Sequence, residues 1–266
     1  MTRLHTLDGA EVSGVPPELA LYPYGAFTTF VAVDGSVRRW PRHVERLAQG
    51  ALRLWGHRVD EDSLREVARA HLARLGGPST VRITLYPEHL PLAAPAQARG
   101  CRVLVSSGPT EFPYRPQPEI AVTSVAHERD LPDLKSTSLL MPIHLRRQAQ
   151  LAGFDDALLR HGDRVLEGST WTVMVWADGE VATPDGAVLR SITADDVGEI
   201  ARSLGWTFSR RPVDLPELVR ADLVLAVNAN SPARAIGRLD DDRLSIAPDL
   251  LDAIAATFSA LPRDRV

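Results

Sequence analysis

Among the 30 basic residues of this 266-residue chain only one is a lysine, Lys135, so any reaction that needs a side-chain primary amine has a single candidate. It lies in Glu128-Arg129-Asp130-Leu131-Pro132-Asp133-Leu134-Lys135-Ser136-Thr137-Ser138. A lysine amine becomes a useful nucleophile when burial or a neighbouring cation lowers its pKa, after which it can form a Schiff base. Taken alone, the segment also reads as a solvent-exposed lysine in a loop. The other reactive residue types offer less. The eight histidines show no paired spacing of a metal site, and one cysteine, Cys101, excludes an internal disulfide or a multi-cysteine metal site. Cys101 opens an apolar run through Val105 and is expected to be a buried strand residue. No Gly-rich phosphate loop and no Gly-x-Ser-x-Gly elbow is present.

Further segments change the reading of Lys135. Near the start lie Tyr24-Gly25-Ala26-Phe27-Thr28-Thr29 and Arg42-His43-Val44-Glu45-Arg46-Leu47. Downstream come Asp155-Asp156-Ala157-Leu158-Leu159, Arg164-Val165-Leu166-Glu167-Gly168-Ser169-Thr170, Ala182-Thr183-Pro184-Asp185 and Val188-Leu189-Arg190-Ser191-Ile192-Thr193. In this order the segments resemble the class IV, or fold-type IV, pyridoxal-phosphate (PLP) aminotransferases. That family includes branched-chain and D-amino acid aminotransferases and 4-amino-4-deoxychorismate lyase. Its pattern is a strand ending in Gly-x-Phe-(Glu or Thr)-(Thr or Ser), a His-x-x-Arg-Leu helix and then a lysine. An Asp-(Glu or Asp)-Ala-Leu strand, a Glu-Gly-Ser turn, Thr-Pro and Leu-x-Gly-Ile-Thr follow. The match runs from about residue 20 to 240.

The resemblance implies the site. Lys135 would hold PLP through an imine and act as general base and acid between the substrate's α-carbon and the cofactor. Glu167 would keep the pyridine nitrogen protonated. Arg46 would contact the phosphate, joined by Ser191, Ile192 and Thr193 at a helix N-terminus. A plain N-cap would use the same threonine, and the sequence does not separate cap from phosphate ligand. Leu189 would pack on the pyridine face, and Tyr22, Phe27, Thr28 and Asn228 are candidates for the substrate side. Arg129, Arg190 and Arg234 are candidates for a substrate carboxylate. Three departures stand out: Thr172 in place of an asparagine, Ser191 in place of a glycine, and Asn228-Ala229-Asn230 where Gly-Thr-Ala is usual, so that Ala229 lacks a hydroxyl.

The elements that must position these residues follow from pattern. Val31 to Val37 carries an Asp-Gly turn between β-prone flanks. Helices are expected over Pro41 to Leu54, with proline at its start and Gly56 past its end, and over Asp60 to Leu75. Val81 to Leu85 and Arg102 to Val105 read as strands, with a proline-interrupted loop between them. After Ile120 to Val125, a strand, come a helix over Leu139 to Leu151, hairpins over Ala157 to Glu167 and Val173 to Thr183, and a helix over Ala194 to Leu204. A strand at Leu223 to Val227 and a helix at Leu250 to Leu261 close the pattern. Trp171 and Trp176 read as core, and His43 as structural.

The expected architecture is α+β: a smaller N-terminal lobe, 1–110, a proline-bearing linker, 111–117, and a larger lobe, 118–266, carrying the lysine, with PLP in the cleft between lobes as in D-amino acid aminotransferase. A net charge of −4 argues against nucleic acid as the main partner. No apolar run nears the roughly 18 residues of a membrane span. The opening residues lack the charged and apolar regions of a signal peptide, which makes a cytoplasmic enzyme the expectation. The resemblance further implies a homodimer, small amino acid and 2-oxo acid substrates, and transamination. Phe27-Thr28-Thr29 and Thr172 keep a lyase open that eliminates pyruvate from 4-amino-4-deoxychorismate. The altered phosphate motifs keep open a catalytically silent member that binds PLP or a metabolite.

Overall fold

The computed structural model describes residues 3–14 and 16–266. They form two compact units. One takes in residues up to Glu111 together with Leu134–Ser138 and Pro262–Val266; the other is Phe112–Asp133 with Leu139–Leu261. Residues 110–116, the proline-bearing stretch, hold no helix or strand.

The first unit is built on an antiparallel sheet of seven strands: β1 (Leu4–Leu7), β2 (Ala10–Glu11), β3 (Ala26–Val33), β4 (Ser36–Val37), β5 (Ser79–Tyr86), β6 (Arg102–Pro109) and, from far along the chain, β16 (Asp264–Arg265). Their spatial order is β16-β4-β3-β5-β6-β1-β2. Helix α1 (Pro17–Leu21) precedes β3; α2 (Trp40–Trp55) and α3 (Glu61–Leu72) follow β4. Strand alternation sends Val81, Ile83 and Leu85 of β5 into one core with Val44 and Leu47 of α2 and Leu64 and Ala68 of α3. The opposite face of β5 carries Arg82 and Thr84.

Turn and cap chemistry explain the boundaries. Asp34 and Gly35 both take positive φ in the β3–β4 turn, the backbone that a tight hairpin demands. Gly56 ends α2 in the left-handed conformation, and Asp60 caps α3 by accepting from Ser63 N–H at 2.8 Å. Helix α3 stops at Leu72, short of the expected Leu75. Cys101 lies just before β6 and is only half-buried, because the strand begins one residue later. This corrects the expectation of a buried strand cysteine.

The second unit holds β7 (Gln117–Ala126), β8 (Asp156–His161), β9 (Arg164–Gly168), β10 (Thr172–Ala177), β11 (Glu180–Pro184), β12 (Thr207–Arg211), β13 (Leu223–Val227), β14 (Arg234–Leu239) and β15 (Asp242–Arg243). Its helices are α4 (Leu140–Leu151), α5 (Ile192–Ser203), α6 (Leu215–Arg220) and α7 (Pro248–Ala260). The sheet runs β12-β11-β10-β13-β14-β7-β8-β9, with β15 beside β14. It curls on itself: Val165 N–H of β9, at one end, donates to Val213 O just past β12, at the other, at 2.8 Å. Apolar residues of β7, β8, β10, β13 and β14 fill the resulting interior together with Trp171. Trp176, fully buried, is also a core residue.

Topology gathers loops at one end of this sheet. Thr172 opens β10 opposite Val227, which closes β13, and the chain after Val227 turns through 228–233 into β14. The antiparallel β11 ends at that same end, so 185–191 leave from it toward α5.

Candidate active site

In the first unit the Leu134–Ser138 strip lies along the start of β3. Phe27 N–H donates to Lys135 O at 2.8 Å, Thr137 N–H donates to Gly25 O at 2.8 Å, and Ser136 bridges Ala26. Gly25 is required by close approach: a Cβ there would meet Leu85 O at 2.5 Å. The strip thereby brings the half-buried Lys135 to Phe27, with Nζ 4.8 Å from the ring centroid. Arg82 stacks on the same ring, its Cζ 3.6 Å from the centroid. Two cations thus share one aromatic ring.

Arg82 has no carboxylate partner among the described residues; its Nε donates to Thr84 Oγ1 at 3.2 Å. Burial pushes its pKa below the usual arginine value, although a guanidinium keeps its proton. Such a cation has anion-binding capacity to offer. The strand pattern Val81-Arg82-Ile83-Thr84 held the signal, since alternation sets Arg82 apart from the core face, but it reads equally as solvent exposure.

Behind Phe27, on the helix-facing side of β3, Thr28 is fully buried and shares a 2.6 Å hydrogen bond with His43 Nδ1 of α2. Phe27 and Thr28 therefore face opposite ways, and Thr28 does not present its hydroxyl alongside Phe27. His43 is pushed down to about 3, first by burial and then by the charges of Arg46 and Lys135. Arg46, one turn on from His43 and half-buried, thus acts in the same electropositive locus as Lys135. Tyr22 is the exposed C-cap residue of α1.

In the second unit Glu167, near the end of β9, is buried. Arg129 Nε donates to its Oε1 at 2.7 Å, and Leu189 N–H approaches Oε2 at 3.4 Å. Arg129 also donates to Pro132 O at 2.6 Å, tying down the loop that leads to Lys135. The chain brings Leu189 to Glu167 and continues directly into α5. Ser191, not Thr193, is the N-cap: its Oγ accepts from Ala194 N–H at 3.1 Å. Helix α5 starts two residues earlier than expected, so Ile192 and Thr193 occupy its first turn, where amides lack intrahelical acceptors. Thr193, which the sequence left open between cap and phosphate ligand, is therefore not the cap, whereas Ser191, also expected at the phosphate, is.

Asn228 Oδ1 accepts from Asn230 and Ser231 N–H at 3.0 and 3.1 Å, so its carboxamide oxygen is engaged in its own turn. The hydroxyl of Ser231, in that turn, is buried without a hydrogen-bond partner among the described residues. The three arginines expected as carboxylate ligands are engaged as well: Arg129 with Glu167, Arg190 with Asp195, and Arg234 with Pro118 O. The structure thus groups Lys135, Arg46, Phe27 and Arg82 in one unit. Glu167, Leu189 and Ser191–Thr193 are grouped in the other.

Among the described residues no cluster of His, Cys, Asp and Glu could hold a metal, and no helix is long and apolar enough to cross a membrane. Residues 25–239 match the family model for amino-transferase class IV. A probable branched-chain-amino-acid aminotransferase from Synechocystis is 26% identical over 123 residues, 45% of this chain and 40% of that one. The match thus spans less than half of that relative's length. In structure, a fold IV-transaminase from Curtobacterium pusillum superposes with a TM-score of 0.80 at 23% identity, covering 97% of both chains. A PLP-bound hypothetical aminotransferase from Mycobacterium tuberculosis gives 0.80 at 18% identity, over 96% of this chain and 98% of that one. A branched-chain aminotransferase from the thermophilic archaeon Thermoproteus uzoniensis gives 0.81 at 22% identity, over 96% and 93%. On the family match and the shared architecture, the chain belongs to the class IV amino-transferases and has the fold-type IV structure.

Proposed function

We propose that this protein is a PLP-dependent aminotransferase that moves an amino group between an amino acid and a 2-oxo acid. The observation that carries the reading is the pairing of the chain's one side-chain primary amine with Arg82 on Phe27: a nucleophile beside a cation with no acidic partner among the described residues. The cofactor of the family is PLP, and the residues present suit it. They offer an amine for its aldehyde, a buried carboxylate for its ring nitrogen, and a guanidinium with helix N-terminal amides for its phosphate. Bound PLP supplies an electron sink for the carbanion formed at the substrate's α-carbon.

The protein's own residues do the rest. Lys135 Nζ would take the α-proton from the amino donor, which leaves as a 2-oxo acid, and would deliver a proton to the α-carbon of the acceptor as it becomes the new amino acid. Glu167, oriented by Arg129 and Leu189 N–H, would serve the ring nitrogen, and Leu189 would supply an apolar contact to the ring. The guanidinium of Arg46 and the first-turn amides of α5 at Ile192 and Thr193 are the groups that would hold the phosphate. Arg82 binds the substrate carboxylate, with Phe27 forming the apolar floor beside it. His43 stays neutral at working pH and adds no charge to this locus.

The test uses purified protein with PLP and a panel of amino acids and 2-oxo acids. Amino transfer to any acceptor supports the reading. No transfer with any pair sinks it, and pyruvate release from 4-amino-4-deoxychorismate would replace it with the lyase. Borohydride reduction of the PLP-loaded protein should leave cofactor on the Lys135 peptide. Lys135→Ala should abolish that label and lower turnover by about 10³-fold or more. Turnover surviving in that variant would refute the role of Lys135.

A further inference from the structure

Asp156 is a buried carboxylate that the chemistry above does not use. It opens β8 and accepts from donors on two other elements. Arg146 of α4 reaches its Oδ2 through Nε at 2.9 Å and through a second guanidinium nitrogen at 2.7 Å, and Trp171 Nε1 donates to the same oxygen at 2.9 Å. Oδ1 accepts from Ser169 Oγ at 2.6 Å and from Ala157 N–H at 2.7 Å. Ser169 and Trp171 are the second and fourth residues after Glu167.

The turn between them has little freedom. Gly168 N–H donates to Trp171 O at 2.9 Å, and a Cβ on Gly168 would collide with the Trp171 ring. Removing a carboxylate from water is unfavourable, and apolar residues of similar volume fill such positions at least as stably. What the carboxylate adds is direction: charge-assisted bonds that fix the backbone leaving Glu167. We infer that Asp156 is a positioning residue for Glu167. By clamping Ser169 and Trp171 it holds the Glu167 carboxylate in the orientation that engages the ring nitrogen of PLP. The inference rests on the role proposed above for Glu167.

Trp171→Phe removes one donor and keeps the ring, Ser169→Ala removes the other, and Asp156→Asn removes the charge. If Asp156→Asn does not fold, the first two carry the test. Each variant is compared with wild type in its PLP-loaded form. A Glu167 carboxylate set out of line holds the ring nitrogen's proton less firmly, and with less positive charge on the ring the Lys135 imine holds its own proton more firmly. The pH midpoint of the bound cofactor's visible band should therefore rise by about one unit. Turnover should fall about tenfold while KM for the amino donor changes less than about twofold. In a Glu167→Gln background, Trp171→Phe should leave the midpoint unmoved, because the residue it acts through is gone. A lower urea midpoint with unchanged spectral midpoint and turnover would overturn the inference and leave Asp156 as scaffold only. A wild type with no cofactor band would remove the reading of Glu167 itself, a result distinct from a normal wild type with silent variants.

Discussion

Arg82 and Lys135 meet at Phe27 although 53 positions separate them in the chain. Arg82→Met keeps most of the stem that packs on the ring and removes the charge. It should raise KM for carboxylate substrates about tenfold or more, the scale of one charge-assisted bond, with a smaller change in kcat. An unchanged KM across the substrate panel would exclude Arg82 from carboxylate recognition. Lys135 was legible in the sequence because of its uniqueness and its place in an ordered set of motifs. Arg82 was not, because a single arginine in an alternating strand looks the same whether it faces water or a ligand. The surroundings of Thr28 and Asn228 were not legible for a related reason. Local sequence names the hydroxyl and the amide, but only packing shows them engaged with His43 and with the Asn228 turn.

Helix α5 separates two functions that the sequence merged. Ser191→Ala removes the cap and should destabilise the protein by about 1 kcal/mol, read as a lower urea midpoint. Thr193→Val leaves the cap in place. It should weaken binding of PLP more than that of pyridoxal, which lacks the phosphate; equal losses for both would refute the phosphate assignment. Elements with local signals were legible. The Asp34-Gly35 turn marked a hairpin, Pro41 and Gly56 bounded α2, and Leu223–Val227 was expected with those limits. Short strands such as β12, β15 and β16 were missed. Each is defined by a partner strand more than by its own pattern, and two-residue strands carry no periodicity to read.

The molecule as a whole carries buried imidazoles whose effect on stability has a definite sign. His71, held between Thr6 and Ser107 at 2.8 Å each, is pushed down to about 4, chiefly by burial, then by Arg74 and His5; His43 is pushed down to about 3. The unfolded chain takes up protons at both near 6.5, while the folded protein resists. Between about 6.5 and 4 the unfolded state therefore binds more protons, and stability falls as pH drops. Urea midpoints measured from about pH 7.5 to about 4.5 should decline; a flat profile would contradict the buried neutral imidazoles. At this scale a lobe running unbroken from 118 to 266 was the expectation. The backbone bonds of Phe27 and Thr137, and the pairing of β16 with β4, instead return two later pieces to the first unit. Such returns leave no trace in local patterning. One of them has a kinetic side. Arg39, before α2, makes no side-chain cap, and Trp40 N–H is met by Asp264 Oδ2 at 2.7 Å, 224 residues later. During synthesis the ribosome must translate that whole interval before the carboxylate that finishes the start of α2 exists. The first backbone donor of the helix bearing Arg46 therefore gains its acceptor only after residue 264 has been made.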